Sequence, residues 1–198
     1  EGYIKLYGCG RPIHAAIDAL RDALAPLGDS SNWPLADDIA GIEVRGFKFL
    51  AFLNRRDIRN AFATRFSTPF AVASVIVNRG HGLACFDDAA AANPDIHALV
   101  DKLALVEVDD YSALFPQQQV CDVTITLKNG GVLKGRCDII RGEPANPADP
   151  QDYRDKFVGL ARRTWPARTD AALNRLYDQA LKLDQLPDMR VLCGPDGF

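Results

Sequence analysis

One stretch restricts the fold more than any other. Val120–Leu127 alternates apolar and polar residues, Asn129-Gly130 follows, and Val132–Ile140 returns. Strict alternation is the period of a half-buried strand, and Asn-Gly is the strongest short signal for a tight hairpin turn. Val123, Ile125 and Leu127 fall on one face with Cys121, while Asp122, Thr124 and Thr126 fall on the other. Antiparallel sheet is therefore expected, and helical periodicity surrounds it. Ile13, Ala16, Ile17, Leu20 and Leu24 recur at helical spacing, with Pro12 at the first helical position and an end near Pro26-Leu27-Gly28. Phe66–Val77 reads as a second, mostly buried helix stopped by Asn78-Arg79-Gly80. Pro94–Leu105 reads as an amphipathic helix capped by Asn93. Ile39–Phe47, through Ile42 and Val44, and Leu105–Val108 complete the expected strands. The fold class is α+β.

Proline and glycine then divide the chain. Pro144, Pro147 and Pro150 alternate with Gly and Asn, so residues 143–150 read as a linker between an α+β unit, 1–142, and C-terminal helices, 151–198. Asp149 caps the first of these, Pro150 takes its first position and Asp152 its first turn. The helix at Gln151–Arg163 is expected to bury Tyr153, Phe157 and Leu160. Another, near Asp170–Leu183, carries Leu173, Leu176, Tyr177, Ala180 and Leu181.

Composition narrows the partners. With 23 basic against 26 acidic residues and a formal charge of −3, the chain shows no basic excess for nucleic acid. Its apolar runs, such as Phe70–Val77, are too short to cross a bilayer. The five cysteines are odd in number and show no CxxC or CxxH spacing. That argues against a disulfide framework or a zinc site and for a reducing, cytoplasmic setting. The chain opens without Met inside a patterned stretch, Tyr3–Tyr7, and reads as a piece of something longer.

The segment most suggestive of chemistry runs from Lys5 to His14. It brings together a lysine, two glycines (Gly8, Gly10), Cys9, Arg11 and a histidine at a helix start. None of Cys9, Gly10 and Arg11 is a strong side-chain cap, so the first helical amides need an acceptor, and a bound carboxylate or phosphate would serve. Asp18, one helical turn after His14, is placed to orient or charge the imidazole. The plainer reading stays open: water satisfies the amides, Arg11 is solvated and His14 packs at a surface. His81 reads as a helix-end cap, His97 as a surface side chain and Cys9 as a small packing residue.

Taken in order, several stretches resemble the MmgE/PrpD family, which includes 2-methylcitrate dehydratase, cis-aconitate decarboxylase and iminodisuccinate epimerase. They are Lys5, Tyr7, Cys9 and His14; then Ile39, Ile42 and Val44; then Ala63, Phe66, Ser67, Phe70, Val72 and Ala73; and finally Gly142, Pro144, Asn146, Pro147, Lys156 and Phe157. The resemblance implies an MmgE/PrpD-like lid domain, helices plus antiparallel sheet. Its C-terminal helices would pack on an N-terminal helical domain of the same protein, which is expected to precede Lys5. It implies a lyase that needs neither metal nor cofactor, removes a proton beside a carboxylate of a di- or tricarboxylate, and forms a homodimer at full length. Carried over by position, Lys5 and His14 become the catalytic pair, and Arg11 joins them in binding substrate. This part alone is expected to be inactive. Phe52 stands where decarboxylase-type members have a tyrosine before an Asn-Arg pair, here Asn54-Arg55, which argues against decarboxylation. The alternative is a non-catalytic module that binds an anion or pairs with a separate helical subunit.

Overall fold

The expected hairpin forms one side of a mixed sheet, with its second strand at the edge. The computed structural model describes residues 2–190, and the chain divides into two units, Glu1–Pro147 and Ala148–Phe198. The first unit runs α1 (Ile13–Leu24), β1 (Ile39–Gly46), α2 (Lys48–Phe52), α3 (Ala61–Thr64), α4 (Thr68–Val77), α5 (Asp88–Ala91), α6 (Pro94–Asp101), β2 (Leu103–Glu107), α7 (Asp109–Leu114), β3 (Cys121–Leu127) and β4 (Val132–Cys137). Strand order is β2-β1-β3-β4. β3 and β4 pair antiparallel from Cys121↔Cys137 to Thr126↔Val132, and Gly130 takes φ +88° in the turn, a region open to glycine without steric cost. β1 joins β3 antiparallel, with Val44 opposite Val123 and Ile42 opposite Ile125. β2 joins β1 in parallel, Ile42↔Leu103 to Gly46↔Glu107. A parallel pair needs a long crossover, and α2 to α6 supply it.

Alternation fixes which face is dry. Cys121, Val123 and Ile125 are buried while Asp122 and Thr124 reach the surface. α1 lies across this buried face with Ile13, Ala16, Ile17, Ala19 and Leu20 fully enclosed. It comes so close to β4 that a Cβ on Gly135 would stand 2.2 Å from both Ala19 O and Ala23 N. α4 is buried on every side from Thr68 to Ile76, as befits a helix with apolar residues all round.

Several boundaries differ from expectation. Pro12 sits at the cap of α1 rather than inside it. α4 starts at Thr68, not Phe66, because Ser67 Oγ accepts from Phe70 N–H at 3.1 Å and closes the helix start. Asn93 caps α6 as expected, accepting from Asp95 N–H at 2.9 Å, but α6 stops at Asp101 instead of reaching Leu105. Arg56 accounts for the stop: its Nη1 and Nη2 donate to Val100 O (2.5 Å) and Leu103 O (2.7 Å). A cation on the last carbonyls satisfies a helix end, and the chain turns into β2 at Leu103.

The second unit is a helical pair, α8 (Pro150–Thr164) and α9 (Asp170–Ala180). Asp149 N–H donates to Asp152 Oδ2 at 2.8 Å in a capping box, and Thr169 Oγ1 accepts from Ala172 N–H at 3.3 Å to cap α9. Ala161, Leu173 and Leu176 are buried, and the Phe157 and Tyr177 rings lie 5.4 Å apart. Leu160, expected inside, is 42% exposed, because two helices cover only a narrow stripe of each other. Among the described residues no helix is long and apolar enough to cross a membrane.

Candidate functional site

The stretch before α1 folds into a tight knot, and its glycines are there for packing. A Cβ on Gly8 would meet Leu83 and Phe86 at 3.2 Å, and Gly10 N–H donates to Arg65 O at 2.8 Å. Cys9 is buried, and burial raises its thiol pKa, with Lys5 opposing. A thiol held protonated is a packing group rather than a nucleophile.

The helix start resolves differently from expectation. Ile13 N–H donates to Gly10 O (3.0 Å), His14 N–H to Arg11 O (3.1 Å) and Ala15 N–H to Pro12 O (3.4 Å). Turn-type bonds of this kind satisfy the first amides from the backbone itself, so the expected need for an outside acceptor at these amides falls away.

Tyr7 organises what surrounds His14. Its ring is 2% exposed, lies 4.8 Å from the His14 ring at a tilt of 49°, and meets His81 edge-on at 5.2 Å. His81 thus packs against the Tyr7 ring. The Tyr7 hydroxyl donates to Asp18 Oδ1 and accepts from Arg21 Nη1 at 2.9 Å. Asp18 Oδ2 accepts from Arg141 N–H at 2.8 Å. Thus the carboxylate that helical spacing offered to His14 is engaged by Tyr7. Burial pushes the Asp18 pKa up, against the pull of those two donors. Burial, followed by the Asp18 charge, pushes the Tyr7 pKa up. Sequence reading offers Asp18 to His14 and Tyr7 only as part of the family stretch, and it passes over Arg21, although Asp18 and Arg21 share a face of α1 at i, i+3.

Of the three candidates, Lys5 is exposed and His14 fully buried. Arg11 is held on both sides: its Nη2 pairs with Glu143, and its guanidinium lies under the Tyr3 ring, 4.3 Å from the centroid. Burial lowers its pKa. The structure brings Lys5 within electrostatic reach of Cys9 and Arg11 within reach of Asp18, and seats His14 against Tyr7. Beside Asp18 and Arg21 opens a cleft of about 700 Å³, lined also by Trp33, Arg136, Cys137 and Asp138. Its walls carry both signs of charge.

The model of the MmgE/PrpD C-terminal domain matches residues 7–181. The chain belongs to the MmgE/PrpD family. No curated protein matches it significantly. The MmgE/PrpD match takes in Tyr7, Arg11 and His14 in the first unit and both helices of the second, and Lys5 lies just before it. His97 packs differently from the surface histidine expected: its Nε2 is 2.8 Å from Ala91 O, and its ring meets Phe70 at 6.1 Å. Among the described residues no cluster of three or more His, Cys, Asp and Glu side chains is arranged to hold a metal ion.

Proposed function

We propose that this MmgE/PrpD domain is the lid-side half of a lyase that removes a proton beside a carboxylate of a di- or tricarboxylate, in the manner of 2-methylcitrate dehydratase. The family match over residues 7–181 carries the reading. Physically, taking a proton from the carbon next to a carboxylate adds negative charge to an anion, so cations must face it. Lys5 is the exposed ammonium on this segment and holds the substrate carboxylate. His14 moves the proton, its ring set by contact with Tyr7. Being buried, it must be bared when substrate enters. Arg11 binds a second carboxylate. As the proton leaves, a hydroxyl on the adjacent carbon departs as water, and a C=C bond remains.

The rest of the site belongs, in this reading, to an N-terminal helical domain of the same protein, and the whole protein is a homodimer. Exposed aromatics support a covering partner: Phe52, Phe62 and Phe66 are 79%, 73% and 45% exposed, more apolar surface than a solvated face usually shows. Phe52 carries no hydroxyl, which favours dehydration over decarboxylation.

The test is turnover of 2-methylcitrate and citrate by the full-length natural protein, read from ultraviolet absorbance of the new C=C bond. Lys5→Ala and His14→Gln are expected to lose about 10²–10⁴-fold in kcat while circular dichroism stays that of the parent. Near-parental turnover in both variants would refute the assignment.

A further inference from the structure

Arg11 carries a charge the fold has only half answered. Its side chain is 10% exposed, and Nη2 pairs with Glu143. Its Nε and Nη1 are buried with no hydrogen-bond partner among the described residues. A guanidinium presents its donors as a rigid fork that fits the two oxygens of a carboxylate together. Glu143 meets one tine. Buried donors left unmade cost more than a typical hydrogen bond returns, so a carboxylate that spans Nη2 and Nε together, in the place where Glu143 now meets Nη2 alone, would bind Arg11 better than Glu143 does.

Glu143 is placed to give way. Its side chain is 26% exposed, making it the more solvent-facing partner. Its backbone is fixed independently of that side chain. Gly142 takes φ +92°; Glu143 N–H donates to Ile140 O at 3.2 Å, and Asn146 N–H to Glu143 O at 3.0 Å. Gly142 N–H donates to Asn146 O at 2.8 Å. The carboxylate can thus leave Arg11 by side-chain rotation alone, with the loop in place. Tyr3, stacked on the guanidinium and 49% exposed, covers the same position from the other side.

We propose that Glu143 is a resident carboxylate gate on Arg11, occupying the place of a substrate carboxylate and exchanging with it. The inference rests on the reading of Arg11 as a substrate-binding residue, and it makes Glu143 the residue that sets apparent affinity. A molecule binds only while Glu143 is displaced, so its apparent affinity is reduced by the displaced fraction.

Citrate titrated calorimetrically into the full-length natural protein tests this. If Glu143 leaves Arg11 in about a tenth of molecules, Glu143→Gln tightens citrate about tenfold. Adding Arg11→Gln then removes the gain. Glu143→Asp, which keeps the charge but shortens the reach, is expected to fall between, and decides the matter should Glu143→Gln fail to fold by circular dichroism. Wild type that binds citrate, with either Glu143 variant binding equally or more weakly, overturns the gate. Absence of citrate binding in every variant overturns the carboxylate reading beneath it.

Discussion

Gly135→Ala is the most telling single change in the α1–β4 contact. The added Cβ would stand 2.2 Å from Ala19 O and Ala23 N and 2.8 Å from Ala23 Cα. Ordinary contact begins near 3.4 Å, so α1 must withdraw by about 1.2 Å at this point, the difference of those two distances. The obstacles are backbone atoms, which cannot rotate aside. Ile13, Ile17 and Leu20 on the same helix are fully buried, so withdrawal loosens contacts along its length. Overpacking costs about 1–3 kcal/mol, and this site belongs at the upper end. Replacing glycine recovers about 0.5–1 kcal/mol of chain entropy. The net loss is about 2 kcal/mol. With a urea slope of about 2 kcal/mol per molar, the midpoint falls by about 1 M. Far-UV circular dichroism during urea unfolding reads it. Gly82→Ala is the control, because its Cβ meets nothing within 4 Å and its φ of −73° suits any residue. A Gly135→Ala midpoint within about 0.3 M of the parent, the scatter of neutral surface changes, would show that α1 does not press on β4 as described.

Two further outcomes follow from burial. Asp18 holds its proton more tightly when folded, its pKa lying above the ordinary 3.8 because of burial. Its contribution to stability is therefore complete below pH 3.8 and is lost as pH rises through the raised value. Asp18→Asn should flatten the melting-temperature profile over that window, and an unchanged slope would refute the assignment. Burial also pushes the Cys85 and Cys137 thiols up to about 12. At about pH 8 both are almost wholly protonated, so iodoacetamide should modify them slowly in the native protein and quickly in urea. Fast native labelling of either would contradict their placement.

The parts of this fold legible in the sequence are those written in local patterns. The Asn129-Gly130 hairpin, the α1 stripe and the Asp149/Asp152 box each depend on residues a few positions apart, and each formed. The parallel pairing of β1 with β2 has no such signature, since register across a long crossover is decided by packing alone. Reading the N-terminus of α1 for side-chain caps missed the carbonyls of Gly10, Arg11 and Pro12, because backbone groups leave no mark in composition. Leu160 followed its helical stripe but found no neighbour to bury it. In the candidate site, Lys5, Arg11 and His14 stand out as residue types. Their partners do not: Glu143 lies 132 positions from Arg11, and Tyr7, an aromatic among apolar neighbours, carries no hint that its hydroxyl bridges Asp18 and Arg21.

Ile4 N–H donates to Gly142 O at 3.0 Å, and a Cβ on Gly142 would stand 2.4 Å from Ile4 O. The chain at Ile4 and the chain at Gly142 therefore run side by side. A domain whose two ends meet can be lifted from one polypeptide and set into a surface loop of another without stretching the host. By the same geometry, a short bridge from the neighbourhood of Gly142 back to Ile4, with new ends opened at the Asn129-Gly130 turn, would yield a circularly permuted form. The clasp thus marks Ile4 and Gly142 as the two points such a bridge would join.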